Sequence, residues 1–268
     1  MRILVLTLDP QLAREESRSF ARHIEYGKHH ELVCLVFSLG STQTIQRGNL
    51  RVITPGAHSR MGLLVLGTLM LVKVLRTERF DLVLTQDVLI TGILGWIASK
   101  IWRTPLIVQL HGDYLNNPLW IKQRSYNWIL NGIGKRLLHA AAGIRAVSER
   151  IRTTTIKHFK IQEERIISAP IGSELNIFTP DGPRSELPSP FILFVGRLID
   201  EKDPLLFMAI ACTLLAQYPE LHAVVVGQGD LQEAMQQQAR DAGLAERFVW
   251  FDTRSAAELA VLYRSALC

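Results

Sequence analysis

Hydrophobic positions along this chain fall into two alternating rhythms. Short Leu-rich and β-branched runs with little polar alternation occur at Arg2–Leu6, Leu32–Phe37, Leu82–Leu84, Leu106–Leu110 and Gly143–Val147. That texture predicts strands covered on both faces. Between them, longer stretches with helical character run over Gln11–Lys28, Arg60–Thr77, Leu89–Trp102, Trp120–Ala142 and Ser148–Phe159. Strand and helix in strict alternation predict an α/β fold with a doubly wound, mostly parallel sheet.

The rhythm breaks at residues 179–190, TPDGPRSELPSP, where four prolines stand in twelve positions. Proline fixes φ and cannot donate to a strand ladder, so this segment predicts a boundary, set here between 185 and 186. The alternation then restarts. Strands are expected at Phe191–Val195, His222–Val226 and Phe248–Phe251, and helices at Pro204–Tyr218, Leu231–Ala242 and Ala256–Ser265. Two Rossmann-like domains follow, residues 1–185 and 186–268. The second has three strands where a doubly wound nucleotide domain carries five or six. A sheet ending there would leave an apolar edge unpaired, so the expectation is an incomplete domain that continues past Cys268.

Composition adds exclusions. The 268 residues are 48% hydrophobic and 21% charged, as in soluble globular proteins. Cys34, Cys212 and Cys268 are odd in number and widely spaced, which suggests neither a disulfide framework nor a zinc site and fits a reducing compartment. The amino-terminal MRILVLTLDP reads as a first strand rather than a signal peptide. The most apolar stretch, Met61 to Leu75, is interrupted by Lys73 and falls short of the ~20 residues of a membrane span, so it reads as a buried or half-buried helix. The net charge of +5 conceals +10 over residues 1–185 and −5 over residues 186–268. A basic first domain is either a solvated face or one that attracts anionic lipid headgroups or a phosphorylated acceptor. Nucleic acid is not expected, because no base-stacking aromatic pattern accompanies the basic residues.

The most informative segment is FILFVGRLIDEKDP, residues 191–204. An apolar strand ends in Gly196-Arg197, and Glu201-Lys202 precede a helix that can start at Pro204. Two cations thus stand at the carboxyl end of a parallel strand, where α/β sheets bind ligands. A guanidinium fork and a mobile ammonium suit a pyrophosphate, although surface charges at a loop would read the same way. The second element is HAVVVGQGD, residues 222–230, a buried strand running into Gly227-x-Gly229. Those glycines allow close backbone approach at a strand-to-helix turn, with or without a ligand. Strand Leu106–Leu110 ends in His111-Gly112-Asp113. A histidine at that end of a Rossmann-like strand faces the cleft or serves as a satisfied structural residue. Ser148 in Val147-Ser148-Glu149 is a candidate helix N-cap.

In this order the segments resemble family 4 retaining glycosyltransferases, which have the GT-B fold of two Rossmann-like domains. The family pattern Val-Gly-Arg, Glu-Lys-Gly, Val-Gly-x-Gly-Pro appears here as Val195-Gly196-Arg197, Glu201-Lys202-Asp203 and Val226-Gly227-Gln228-Gly229-Asp230. The step Ile144–Glu149 resembles the family's Val-Ser-Glu. Ala169-Pro170-Ile171-Gly172 with Phe178 and Pro180 resembles its Pro-Asn-Gly-Val-Asp…Phe-x-Pro stretch, Ile171 and Ser173 being departures. Two further departures stand out. Phe251-Asp252-Thr253 replaces Phe-x-Gly, and no glycine occurs from Leu6 to Ser17, where many members have a glycine-rich loop facing the donor phosphates.

The resemblance implies transfer of a sugar from a nucleoside-diphosphate sugar, with retention, without a catalytic metal and without any other cofactor. Arg197 and Lys202 would stabilise the departing diphosphate, with Gly196 at the turn and Gly227 and Gly229 in the nucleotide-side loop. His111 would contact the donor sugar from the other domain. Asp113 and Asp87 are expected either to touch the acceptor or to serve as helix caps or solvated side chains. The family's Glu-x7-Glu pair would follow the helix at Ala256–Ser265 and has no counterpart in this sequence, so the chain alone is expected to be inactive. The expected acceptor is a cell-envelope glycan or a lipid-linked one, and the expected location cytoplasmic, held peripherally at an anionic membrane. Two rivals share the fold: a GT-B sugar-nucleotide epimerase and a non-catalytic sugar-nucleotide-binding protein. A dinucleotide dehydrogenase is disfavoured, since no G-x-G-x-x-G follows strand 1.

Overall fold

A computed structural model describes residues 1–172 and 176–268; Ser173, one of the departures noted above, lies outside the described residues. The chain divides into two units, Met1–Ile171 and Gly172–Cys268. The expected boundary at 185/186 therefore moves to 171/172. The reason is local: the Arg264 guanidinium donates to the Pro183 and Thr179 carbonyls, and the Ser185 N–H donates to Ser265 Oγ, tying the proline-rich segment to the second unit.

The first unit is an eight-stranded sheet built from β1 (Arg2–Thr7), β2 (Glu31–Val36), β3 (Thr42–Arg47), β4 (Leu50–Pro55), β5 (Leu82–Thr85), β6 (Leu106–Leu110), β7 (Gly143–Ala146) and β8 (Ile166–Ser168). Their order is β3-β4-β2-β1-β5-β6-β7-β8, and every pairing is parallel except β3 with β4. Strands β3, β4 and β8 are additions to the sequence reading. β3 is an edge strand with only Ile45 buried, so its polar TQTIQR gave no hydrophobic run. The order reverses between β1 and β5, which makes their carboxyl ends the topological switch point.

Two expected helices are each broken in two. Gln11–Lys28 becomes a 3-10 turn at Pro10–Ala13 and α1 (Arg18–Gly27), because Ser17 caps α1 by accepting from Phe20 N while its hydroxyl bonds the Gln11 carbonyl. Trp120–Ala142 becomes α4 (Pro118–Gln123) and α5 (Asn127–Ala140). There the buried Asn127 side chain donates to the Trp120 carbonyl, taking an acceptor that a continuous helix would use. The others match closely: α2 (Arg60–Thr77), α3 (Ile90–Trp102) and α6 (Glu149–Phe159), the last capped by Ser148 as expected.

Helices α2, α3, α5 and α6 cover one face of the sheet, where Leu71, Val74, Ala98, Leu137, Leu138 and Ile151 pack on Leu4, Leu6, Val83, Val108 and Ile144. The other face is covered by α1 and the 3-10 turn through Phe20 and Leu12, over β1, β2 and β4. Beside α1 this second face opens into a cavity.

The second unit is a parallel sheet of β9 (Phe191–Val195), β10 (His222–Val226) and β11 (Phe248–Phe251) in the order β11-β10-β9. It carries α7 (Pro204–Gln217), α8 (Gln232–Asp241) and α9 (Ala256–Ser265). Pro204 occupies the first turn of α7, and a reciprocal Ser255–Glu258 capping box starts α9. All three strands coincide with the sequence reading.

Candidate active site

In the first unit, the carboxyl ends of β1, β5, β6 and β7 converge on a cavity of about 800 Å³. Its floor is apolar (Ile3, Val5, Leu32 and Leu84), and α1 supplies Arg22, His23 and Tyr26 to one wall. Its polar side is a hydrogen-bonded row. Thr7 Oγ1 donates to Gln86 Oε1 at 2.6 Å, across the switch point. The Gln86 amide meets His23 Nε2 at 3.3 Å, and His23 Nδ1 lies 2.7 Å from the Ser19 carbonyl. A carbonyl only accepts, so Nδ1 carries the proton and Nε2 accepts from Gln86.

His111 is exposed at the cavity's edge, immediately beyond β6. Its Nε2 sits 3.2 Å from Gln109 Oε1, which also accepts from Arg145 Nη1 at 2.7 Å. An amide oxygen accepts, so Nε2 carries the proton and Nδ1 is left as a free acceptor. Partial desolvation lowers the His111 pKa below its ordinary value; the Arg145 and Arg22 guanidiniums push the same way, against a smaller opposing pull from Asp87. His111 is thus held neutral, in one tautomer.

Arg145 is the residue around which this side is organised. Besides Gln109 it donates to the carbonyls of Ala169 and Pro170, at 2.9 and 3.2 Å. Among the described residues it meets neutral acceptors only. Arg22 lines the same cavity and forms no ion pair among the described residues. The two carboxylates that line the cavity among the described residues are occupied in capping: Asp87 accepts from Leu89 N, Thr91 N and the Thr91 hydroxyl, and Asp9 from Gln11 N and the Ser19 hydroxyl. Asp113 lies away from this cavity and pairs with Arg150 at 3.4 Å. Of the first-unit residues singled out, His111 and Asp87 therefore share the cavity and Asp113 does not. Arg145, Gln109, Gln86, Arg22 and His23 were missed. The available signal was polarity inside buried strands, Gln109 within Leu106–Leu110 and Arg145 within Gly143–Val147.

In the second unit, Gly196-Arg197 follow β9 and Gly227-Gln228-Gly229 follow β10, so the two loops lie side by side at one edge of the sheet. Their backbones interlock. Gly196 N donates to the Val226 carbonyl at 3.0 Å, Leu198 N to that of Gln228 at 2.9 Å, and Leu231 N to that of Leu198 at 3.0 Å. Gly227 has φ +146, and a Cβ there would collide with the Gly196 carbonyl oxygen; at Gly229 it would strike the Leu198 carbonyl. Both glycines are required by the close approach of the two loops. Arg197 is 71% exposed, with only a 3.8 Å approach to Glu201. Lys202 is exposed in the short 3-10 turn Asp200–Lys202.

Residues 18–196 match the family described as Glycosyltransferase Family 4, and residues 180–268 match Glycosyl transferases group 1. The chain belongs to glycosyltransferase family 4. A D-inositol 3-phosphate glycosyltransferase of Paenarthrobacter aurescens (strain TC1) is 28% identical over 190 residues, which are 66% of this chain and 47% of that protein. This chain spans about half the length of the curated relatives it matches. Among solved structures, sucrose-phosphate synthase from Thermosynechococcus elongatus superposes with a TM-score of 0.73 at 15% identity, covering 99% of this chain and 74% of the other. WaaG, a glycosyltransferase involved in lipopolysaccharide biosynthesis, does so with a TM-score of 0.65 at 13% identity, covering 97% and 71%. These likenesses establish the GT-B fold for the family 4 chain. Among the described residues no cluster of His, Cys, Asp or Glu could hold a metal ion, and no helix is long and apolar enough to cross a membrane.

Proposed function

We propose that the protein transfers a sugar, with retention, from a nucleoside-diphosphate sugar to an acceptor that carries an anionic group. The observation that carries this reading is the interlocked pair of loops in the second unit, which leaves Arg197 and Lys202 exposed at the carboxyl edge of β9 and β10, Arg197 held only by a long 3.8 Å approach to Glu201. When the sugar–phosphate bond breaks, negative charge grows on the departing diphosphate. A guanidinium, an ammonium and loop N–H groups suit that charge and ask no metal of the protein. His111, neutral and with Nδ1 free, suits a sugar hydroxyl, which it would accept. Arg22 and Arg145, which meet no carboxylate among the described residues, favour an acceptor with a phosphate or similar anion. The relative's name supports the same chemistry, since it acts on an inositol phosphate. A lipid-linked or cell-envelope glycan, met at the cytoplasmic face of a membrane, fits these features and the +10 charge of residues 1–185. No two glutamates of this sequence stand in Glu-x7-Glu spacing, so these 268 residues alone are expected to transfer little or no sugar.

Donor binding tests the reading without requiring turnover. Titrating the chain calorimetrically with uridine, guanosine and adenosine diphosphates should reveal binding of at least one. Arg197→Ala with Lys202→Ala should weaken it by roughly tenfold or more, each charged hydrogen bond being worth about 1.5–3 kcal/mol. Absence of binding by all three, or an affinity indifferent to the double substitution, would overturn the donor assignment. Conversion of the donor sugar with no acceptor present would favour the epimerase.

A further inference from the structure

Helix α2 does not bury its whole surface, and it is not apolar enough to cross a membrane. Leu71, Val74 and Leu75 pack into the core, yet Met61, Leu64, Val65 and Leu69 are exposed, Met61 at 74% and Leu69 at 60%. The neighbouring helices repeat the arrangement. On α3, Ile90, Ile97 and Ile101 are exposed, and on α5, Trp128 and Ile129. Helices α2, α3 and α5 lie on one face of the sheet, so these residues form a run of apolar surface rather than scattered exceptions.

The charges interleaved with them have one sign. Arg60, Lys73, Arg76, Lys100, Lys135 and Arg136 lie on these helices, and α2, α3, α4 and α5 contain no aspartate or glutamate. None of the six forms an ion pair among the described residues. The carboxylates nearest in sequence are engaged elsewhere: Glu78 with Arg2 and Arg51, Asp81 with the Arg2 N–H, Asp87 at the start of α3, Asp113 with Arg150. Helix α6, on the same sheet face, shows what a water-facing helix of this protein looks like. It has mixed charges and an Arg152–Glu149 ion pair at 2.8 Å.

We propose that the outer faces of α2, α3 and α5 form a docking surface for an anionic-lipid membrane. Apolar side chains with an exposed tryptophan and an unopposed set of cations fit the headgroup layer, where the former enter the acyl boundary and the latter meet lipid phosphates. A second copy of the chain fits poorly, because a two-fold contact would set the same cations against themselves. The 800 Å³ cavity lies on the opposite sheet face, beside α1, so docking leaves it open. The inference takes only its partner, a membrane, from the proposed function and does not depend on sugar transfer.

Vesicle co-sedimentation of the 268-residue chain tests it. Binding is expected to vesicles of equal parts phosphatidylglycerol and phosphatidylcholine, and to fall sharply on pure phosphatidylcholine. Lys73→Gln with Arg76→Gln should lower the partition coefficient roughly 30-fold, from about 1 kcal/mol for each cation near the surface. Trp128→Ser with Leu69→Ser should also weaken it, and these exposed positions leave the unfolding midpoint unchanged. Lys157→Gln with Lys160→Gln removes the same charge around α6 and should bind like the parent. If the parent ignores anionic vesicles, the docking surface and the membrane reading both fall. If it binds but the α2 and α5 variants bind as tightly as the α6 variant, the surface is wrong and the membrane reading survives. Lipid-free self-association abolished by Trp128→Ser would assign the face to a second copy and overturn the proposal.

Discussion

The two units hold their candidate site residues in opposite ways. In the first, side chains do the holding: Arg145 spends its donors on Gln109, Ala169 and Pro170, and Gln109 in turn orients His111. In the second, backbone does it: the loops after β9 and β10 interlock through main-chain hydrogen bonds, and Arg197 and Lys202 project from that frame with little to fix them. The difference teaches where each site is vulnerable. A half-buried polar network is sensitive to loss of one partner, because each orphaned group keeps its desolvation cost. An interlocked backbone is sensitive to added atoms and indifferent to the side chains it displays.

Substitutions can break this contrast, and the largest effect is expected at Gly227. Gly227→Ala places a Cβ on the Gly196 carbonyl at φ +146 and should cost about 2–4 kcal/mol through strain and overpacking, read by urea unfolding. A loss well under 1 kcal/mol would mean that the loops part easily.

Next comes Arg145→Leu, which strands the part-buried Ala169 carbonyl and takes the charged donor from Gln109 Oε1. A cost of about 2–3 kcal/mol is expected. The His111 pKa should also rise toward its ordinary value, followed by NMR titration, because the guanidinium that disfavours its protonation is gone. An unmoved His111 would remove Arg145 from the electrostatics of the site.

A smaller effect is tied to pH. His111 and His23 both have lowered pKa values in the fold, in each case chiefly through desolvation. The unfolded chain therefore binds more protons than the native one once pH falls below about 6.5. Stability should decline from there toward the lowered native pKa values and level off beneath them. The double variant His23→Gln, His111→Gln should flatten the urea-midpoint profile over that window, and an equally steep profile would contradict the assignment. Smallest of all, Arg197→Ala should change stability by less than about 0.5 kcal/mol, its charge being solvated already. A large loss would show that this side chain helps hold the loop, and the contrast between the units would fail.

The second unit was almost wholly legible beforehand, since Phe191–Val195, His222–Val226 and Phe248–Phe251 are largely apolar runs, the first two ending at glycine and the third set between Arg247 and Asp252. β3 was not, because an edge strand with one buried side chain carries little hydrophobic signal. Nor were the breaks at Ser17 and Asn127, where local side-chain hydrogen bonds overrule a helical pattern. Among the candidate residues, the place of His111 beyond β6 and of Arg197 and Lys202 after β9 could be read from the sequence. Asp87 and Asp113 could not be told apart, one lining the cavity and the other paired to Arg150.

By itself the sequence determined the alternating α/β plan, the family, and which polar side chains stand just beyond β9 and β6. Those features follow from hydrophobic period and turn chemistry, which are local along the chain. Only the tertiary structure decided that Thr7, Gln86, His23, Gln109, His111 and Arg145 share one cavity, and that α2 turns an apolar, carboxylate-free face outward. Strand order and helix rotation set those relations, and both arise from contacts between residues far apart in sequence.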